Sequence, residues 1–297
     1  MEFLQLQYFR KVAELEHMTK AAEELHIAQP ALSKTISRLE EDVGVPLFDR
    51  KGRQIRLNAY GKAFLRRVDT ALQALEDGRK EVQDMAGLER GRIFVATTTH
   101  KCFSDAIGDF IARHPGAKLH ISQASETEKI GKLRKGELDL CITFPPIRQP
   151  DIEGIPFLTE RILLAVPHGH PFAGRSSIRL AEAAAEPFIC LKSENPFRTM
   201  TDDFCRQAGF APNIVCEVDE HSAVGHFLRA GIGIAFLPET LLEKFDAPFH
   251  VLEIVEPECL RTYQIAWMRN RYLSAAACEF RDFIVRRFAS ISMEAGQ

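Results

Sequence analysis

The sequence predicts a chain of three parts: a small, mostly helical N-terminal domain, one long helix, and an α/β domain of two lobes. Three observations support this division. Residues 1–58 carry short helix patterns followed by two short strand patterns, and residues 59–89 repeat apolar side chains at helical spacing. Residues 90–297 alternate short apolar runs with helical stretches, which is typical of a mostly parallel sheet with helices on its faces.

The composition is that of an ordinary globular protein. Of the 297 residues 45% are apolar and 27% are charged, and the net charge is −3, so contact with a polyanion requires a local basic surface. The chain shows no secretory signal and no apolar run of about 20 residues, which predicts a cytoplasmic protein that does not span a membrane. Seven scattered cysteines without a C-x-x-C pair indicate reduced thiols, with neither a disulfide framework nor a metal site.

The N-terminal domain is predicted to contain three short helices. Apolar residues from Leu4 to Leu15 recur at helical spacing, and Thr19 is predicted to cap a second helix over Lys20–Leu25. A third helix is predicted over Pro30–Glu41, because proline is tolerated in a first helical turn. The buried stripe of this third helix is expected to consist of Leu32, Ile36 and Leu39.

The other face of the third helix is short, polar and cationic, with no acid before Glu40. Helices that enter the major groove of DNA have small hydroxyls and amides near their N-terminus, with Lys and Arg beside them. A solvated helix face accounts for these residues equally well when the helix is considered alone. The candidate DNA-contacting residues of the helical segment are Thr19, Gln29, Pro30, Ser33, Lys34, Ser37 and Arg38.

The segment that follows favours DNA binding over a merely solvated face. Two short strand patterns flank a turn centred on Gly52, which predicts a β-wing and therefore a winged helix-turn-helix. Between Arg50 and Arg67 there are seven basic residues and no acid. A wing of this charge suits contact with phosphates or with the minor groove. Its candidate DNA-contacting residues are Arg50, Lys51 and Arg53.

Residues 18–61, MTKAAEELHIAQPALSKTISRLEEDVGVPLFDRKGRQIRLNAYG, resemble the DNA-binding domain of LysR-type transcriptional regulators. The shared features are the paired alanines and the motifs A-Q-P-A-L-S, R-L-E and G-V-P-L-F-x-R, in the family's order and spacing. Ala28 departs from the pattern, since the family more often has serine there. The resemblance implies a regulator, not an enzyme, that binds promoter DNA and responds to a small molecule.

Residues 59–88 are predicted to form one long helix that Asn58 caps. Its apolar positions alternate spacings of four and three, which favours a coiled coil between two chains over a helix packed on its own domain. The resemblance also implies a homodimer through this helix, and it is the only basis for expecting a tetramer and for naming RNA polymerase as a candidate partner. The stripe consists of Phe64, Val68, Ala71, Leu75, Gly78, Val82 and Met85.

The domain of residues 90–297 shows the β-α-β pattern twice, which predicts two lobes with a cleft between them. Gly136–Leu140 and Gly231–Pro238 are similar to landmarks of the same family, whose effector domain resembles the two-lobed type 2 periplasmic binding proteins. In that fold the chain crosses twice between lobes. We expect the crossings near residues 143–161 and 265–270, with lobe I at about 90–161 and 269–297 and lobe II at about 162–268.

Ligands of open α/β sheets bind beyond the carboxyl ends of strands, where helices begin. Such turns are predicted in both lobes, and they suggest a small anionic metabolite as the effector. Solvated helix caps are the alternative for the hydroxyls, and an ion pair within the protein is the alternative for the arginine. The candidate effector-binding residues are Thr97, Thr98, Thr99, His100, Ser125, Thr127 and Arg198.

Two other functions remain open at this point. Cys190 and Cys205 both fall in lobe II, where some members of the family switch through a disulfide, although lone cysteines are more often small buried apolar residues. An enzyme is more distant, because the chain contains no H-E-x-x-H, G-x-S-x-G, P-loop or G-x-G-x-x-G motif. The sequence therefore predicts a DNA-binding regulator without a cofactor.

Overall fold

Helical periodicity in the first sixty residues produces three short helices, α1 (Phe3–Leu15), α2 (Met18–Glu24) and α3 (Gln29–Val43). A computed structural model describes residues 1–51, 54–87, 91–97, 103–244 and 249–294. The chain divides into two units, Met1–Glu89 and Arg90–Gln297, which are described separately below. Within the described ranges, no helix is both long enough and apolar enough to cross a membrane.

The start of α2 differs from the prediction. His17 is the N-cap, and its Nδ1 accepts a hydrogen bond from the backbone N–H of Lys20 at 3.3 Å. Thr19 lies inside the first turn, so the prediction that it caps the helix was wrong. The reason is that His17 has the extended backbone of a cap residue (φ −149°, ψ 106°) and an acceptor nitrogen within reach of the free amide.

The third helix follows its pattern closely. The side chains of Leu32, Ile36 and Leu39 are fully buried, as their spacing predicts. The helix extends two residues beyond the predicted end to Val43 and stops at Gly44, whose φ of +84° is accessible to glycine without strain.

The wing is an antiparallel pair of strands, β1 (Phe48–Lys51) and β2 (Gln54–Leu57), with Phe48 opposite Leu57. Helix α4 (Ala59–Met85) follows, and the Oδ1 atom of Asn58 caps it by accepting from the N–H of Gly61 at 2.8 Å. Gly61 is also a point of close approach, since a Cβ there would lie 2.1 Å from the carbonyl oxygen of Leu47.

The second unit begins with the β-α-β-α-β series that the sequence predicts. Strand β3 is hydrogen-bonded in parallel to both β4 and β5, and the two helices connect these strands. Its elements are β3 (Arg92–Thr97), α5 (Ser104–Arg113), β4 (Lys118–Gln123), α6 (Glu126–Lys135) and β5 (Leu140–Thr143). Helix α9 (Ala275–Glu294) returns to this lobe, where Phe280 and Ile284 share a core with residues of β3 and β5.

One long strand, β6 (Ile152–Pro167), carries the chain from lobe I to lobe II. Its first part pairs antiparallel with β12 (Leu260–Met268), and its last six residues pair with β10 (Ala235–Pro238) and β11 (Phe249–Glu256). Strand β12 also pairs with β5 through residues 264–266, which places those residues in lobe I. The return crossing therefore lies near residue 260, ahead of the predicted 265–270.

Lobe II is completed by β7 (Ser177–Arg179), β8 (Pro187–Leu191), α7 (Pro196–Gln207), β9 (Asn213–Val218) and α8 (His221–Arg229). Strands β8 and β9 are parallel. The N–H of Ile234 donates to the carbonyl of Pro187 at 2.8 Å, which links β8 to the segment entering β10. Gly233 makes this approach possible, because a Cβ there would lie 2.4 Å from the same carbonyl oxygen.

Candidate nucleic-acid interface and effector site

The predicted DNA-contacting residues of α3 form two adjacent rows on one face of the helix, because residues four apart lie one above the other. The first row is Gln29, Ser33 and Ser37, and the second is Pro30, Lys34 and Arg38. Lys34 and Arg38 are exposed, whereas the two serines of the first row are half-buried. The structure therefore brings an amide, two hydroxyls and two cations together on the accessible side of α3, opposite the buried stripe.

The first acid after this face points to the interior of its own domain. One oxygen of Glu40, Oε1, accepts hydrogen bonds from the backbone N–H groups of Leu47 and Phe48 at 2.8 and 3.2 Å. This contact holds the end of α3 to the start of the wing. It also engages the carboxylate of Glu40, so the positive charge of Lys34 and Arg38 is available to a polyanion.

The wing is held to the helices by one aromatic core. The ring of Phe9 on α1 lies 5.5 Å from the ring of Phe48 on β1 and 5.3 Å from the ring of Phe64 on α4. The backbone of Arg50 and Lys51 lies in β1, and their side chains, together with the whole of Arg53, lie outside the described residues. Thr19 is exposed on α2.

In lobe I, the carboxyl ends of the three parallel strands lie at a single edge of the sheet. Thr97 is paired with Gln123 of β4 and with Ile142 of β5, and its side chain is almost fully buried, with 2% exposed. The N–H of Ala124 donates to the carbonyl of Thr97 at 3.4 Å, which brings the start of α6 to the same edge. Thr98, Thr99 and His100, three of the predicted effector residues, lie outside the described residues.

Ser125 and Thr127 lie at the start of α6. Ser125 is the N-cap, and its N–H and its hydroxyl both donate to the Glu128 carboxylate, at 2.8 and 2.7 Å. These bonds hold the pKa of Glu128 below its usual value. The hydroxyl of Ser125 thus serves a helix cap, which is the alternative that the sequence leaves open, while Thr127 is exposed.

Arg198 forms an ion pair within lobe II. Its side chain is 9% exposed, and its Nε donates to Asp202 at 2.7 Å while its Nη1 donates to Glu217 at 2.9 Å. Nη1 also donates to the carbonyl of Leu191 at 2.9 Å. Arg198 was predicted to bind the effector, but the structure shows the alternative, an ion pair within the protein. The reason is that two protein carboxylates already contact its guanidinium.

Three buried charged residues near the lobe edges were not predicted from the sequence. Lys129 on α6 is completely buried and donates from Nζ to Thr143 Oγ1 at 3.0 Å. Glu160 on β6 and Arg261 on β12 are paired across the two crossing strands. The signal for Lys129 was its position four residues before the buried Leu133 on the same helix face. The pair of Glu160 and Arg261 has no local signal, since 101 residues separate its members.

Cys190 and Cys205, the cysteines of the alternative redox switch, are buried in lobe II. Burial raises the pKa of the Cys190 thiol to about 11 and that of the Cys205 thiol to about 12. A thiol with so high a pKa is protonated near neutral pH and is therefore a poor nucleophile. Among the residues that the structure describes, no three His, Cys, Asp or Glu side chains form a group that could hold a metal ion.

Two family models match the chain. The model described as a bacterial regulatory helix-turn-helix protein of the lysR family matches residues 3–62, and the model described as a LysR substrate binding domain matches residues 86–289. The curated relatives include the HTH-type transcriptional regulator YybE of Bacillus subtilis (strain 168), which is 37% identical over 293 residues, covering 97% of this chain and 100% of the relative. The transcriptional dual regulator GltC of the same organism is 33% identical, with 98% of this chain and 99% of the relative covered.

Among solved structures, full-length CbnR in complex with its target DNA is similar to this chain with a TM-score of 0.58 and 26% identity, covering 97% of this chain and 100% of that chain. The chain belongs to the LysR family of transcriptional regulators. It is a DNA-binding regulator with a two-lobed substrate-binding domain, and its relatives are regulators, not enzymes. The predictions of the family, of the fold class and of a non-enzymatic protein are confirmed.

Proposed function

We propose that this protein binds a promoter as a homodimer with α3 in the major groove, and that binding of a small anionic effector between the two lobes changes its occupancy of that promoter. In this proposal Lys34 and Arg38 contact DNA, together with the other predicted residues of α2, α3 and the wing. The effector lies against the edge where Thr97 ends β3, with Thr98, Thr99, His100, Ser125 and Thr127 around it. Arg198 is excluded because its guanidinium is bound to Asp202 and Glu217.

The exposed cationic face of α3 is the observation that supports this mode of DNA binding. Lys34 and Arg38 project from one row of a helix whose opposite side is fixed in the core by Leu32, Ile36 and Leu39. A helix that is rigidly held and cationic on its free face can lie in the major groove without reorganisation of the domain.

This geometry is tested with Lys34→Ala and Arg38→Ala in a gel-shift titration on promoter DNA at several salt concentrations. Loss of a phosphate contact reduces the slope of log affinity against log salt by about one, and loss of a base contact weakens binding by about tenfold or more. The matched control is Lys135→Ala, which removes one exposed cation from the second unit. Unchanged affinity and slope in both α3 variants would contradict the proposal.

Dimerisation through residues 59–88 is supported by the apolar side chains that α4 exposes. The exposed fractions are 59% for Leu75, 65% for Val82 and 83% for Met85. These residues belong to the predicted stripe, and a second α4 helix would cover them. Two recognition helices on one duplex then require half-sites about one helical turn, or a multiple of it, apart. A tetramer of two such dimers is part of the same proposal, and light scattering of the DNA-bound protein measures it.

The effector is tested by thermal unfolding of the full-length protein in the presence of small organic acids, amino acids and inorganic anions. A ligand at about 100 times its dissociation constant stabilises the domain that binds it by about 2.7 kcal/mol. Stabilisation by a class of anions that also changes promoter affinity would support the proposal. Stabilisation by neutral compounds alone would contradict the anionic effector while leaving DNA binding in place.

A further inference from the structure

Lys129 is a completely buried cation whose only side-chain hydrogen bond in the described structure goes to a neutral group. The amino group donates to Thr143 Oγ1 at 3.0 Å, and Thr143 donates in turn to the carbonyl of Pro145 at 3.2 Å. Within the described ranges, no carboxylate lies within ion-pair distance of the Nζ atom. Burial lowers the pKa of Lys129, and this effect outweighs the opposite influence of Cys141 and of Glu126, which is exposed one turn earlier on α6.

The other two buried cations in the described part of the second unit differ from Lys129, because each contacts a carboxylate. Arg198 contacts Asp202 and Glu217, and Arg261 contacts Glu160. A charge that is removed from water is costly unless it is paired with an opposite charge. The fold therefore supplies a carboxylate to each buried arginine and none to Lys129, although Lys129 is the most deeply buried of the three.

The position of Lys129 suggests where its missing partner comes from. Thr143 is the last residue of β5, and the preceding Ile142 pairs with Thr97 at the end of β3. The ammonium of Lys129 thus lies at the edge of the sheet where the parallel strands end. Ligands of open α/β sheets bind at such edges. The first turn of α6 already carries Glu126 and Glu128, which offset the positive end of its helix dipole. Neither of these two acids forms an ion pair with Lys129.

We propose that Lys129 is the counter-charge for the effector, and that it forms an ion pair with a carboxylate of a small organic acid bound between the lobes. The inference rests on the proposed function, since it assigns the residue that recognises the charge of the effector at that site. A single compact ammonium offers donors for one carboxylate group, whereas phosphate is usually held by a larger set of donors. Thr143 Oγ1 positions the ammonium and is not itself an anion ligand.

The test compares the full-length wild type with Lys129→Met, which has similar volume and no charge. Thermal unfolding and calorimetric titration are run with acetate, succinate, 2-oxoglutarate, benzoate and inorganic phosphate, and with acetamide, succinamide and benzamide as uncharged counterparts. The expected result is that at least one carboxylate binds the wild type, that its amide does not, and that Lys129→Met lowers carboxylate affinity by about ten- to a hundredfold. Lys135→Met, on the exposed face of the same helix, should bind the carboxylate normally.

Folding of the variant is followed independently. Lys129→Met should unfold at the same temperature as the ligand-free wild type or higher, because it removes an unpaired buried charge, and it should bind promoter DNA. If Lys129→Met does not fold, Lys129→Gln is used in the same comparison.

Normal carboxylate binding by the folded variant overturns the role of Lys129 alone. Failure of every carboxylate and of phosphate to bind the wild type overturns both this inference and the anionic effector of the proposed function. Tighter binding of phosphate than of any carboxylate overturns the carboxylate assignment.

Discussion

Glu160 and Arg261 face each other at the place where the chain passes between the lobes. Arg261 Nε lies 2.8 Å from Glu160 Oε1, and the side chain of Arg261 is 4% exposed and that of Glu160 is 2% exposed. The other carboxylate oxygen of Glu160 accepts from the N–H and the hydroxyl of Thr240, at 3.0 and 2.7 Å. The guanidinium carbon of Arg261 lies 5.6 Å from the ring centroid of Phe144 in lobe I and 5.2 Å from that of Phe197 in lobe II. The pair is therefore in contact with both lobes.

We expect Arg261→Met to destabilise the second unit by about 3–5 kcal/mol, because it leaves the Glu160 carboxylate buried without a counter-charge. Denaturant unfolding followed by the fluorescence of Trp267, the only tryptophan of the chain and a residue of β12, measures this effect. The double variant Glu160→Met/Arg261→Met should recover most of the loss, since it removes both charges.

The neighbouring Arg161→Met provides the matched control. Arg161 contacts Glu239 and Glu253 at 2.7 and 3.1 Å, but it is half exposed. An exposed ion pair contributes about 1 kcal/mol or less, so this variant should unfold close to the wild type. Equal losses in Arg161→Met and Arg261→Met would show that burial of the pair is not what stabilises the crossing.

Gly61→Ala should destabilise the DNA-binding domain by about 1–3 kcal/mol or more, because the new Cβ would lie 2.1 Å from the carbonyl oxygen of Leu47 and force the wing away from α4. Thermal unfolding and promoter gel shifts measure the two consequences. Gly108→Ala on α5 is the control, since open space surrounds that position and alanine is the better helix former by about 0.5–1 kcal/mol. A Gly61→Ala protein as stable as Gly108→Ala would contradict the close approach.

The dimer is tested with Val82→Glu. Val82 is exposed on α4, so the charge should leave the fold of the chain intact while disrupting a coiled-coil contact between two chains. Sedimentation of the full-length protein should then show monomers, and affinity for a two-half-site promoter should fall. Ala74→Glu places the same charge on the same helix off the stripe and should remain dimeric. If Val82→Glu dimerises with the same affinity as the wild type, the dimer interface does not include this face of α4.

Cys190, Cys205 and Cys259 should react slowly with alkylating reagents in the native protein. Burial raises the pKa of all three thiols, to about 11 for Cys190 and about 12 for the other two, so at pH 8 their thiolate fraction is lower than that of an ordinary cysteine by about two orders of magnitude or more. N-ethylmaleimide labelling followed by peptide mass spectrometry should modify the half-buried Cys216 and Cys278 before these three. Rapid formation of a Cys190–Cys205 disulfide in mild peroxide would contradict this prediction and support the redox switch.

Local patterns in the sequence predicted much of the secondary structure and of the buried core of this protein. Apolar spacing along α3 placed Leu32, Ile36 and Leu39 in the core and left Lys34 and Arg38 exposed, because a helix repeats every 3.6 residues whatever surrounds it. The same kind of local information predicted Asn58 as the cap of α4 and the β-α-β order of lobe I, and the motifs of residues 18–61 indicated the family. Capping, periodicity and turn residues act over a few positions, so they can be read from a single sequence.

Tertiary structure alone decided the partners of the buried charges. Arg198 was expected beside a ligand and instead contacts Asp202 and Glu217. No local pattern predicted a role for Lys129, and among the buried cations that the structure describes it is the one without a carboxylate. Strand β12 returns to lobe I earlier than expected, which brings Arg261 opposite Glu160. The physical reason is the same in each case. An ion pair or a strand pairing depends on distances between residues far apart in the chain, and no periodic pattern in the sequence encodes those distances.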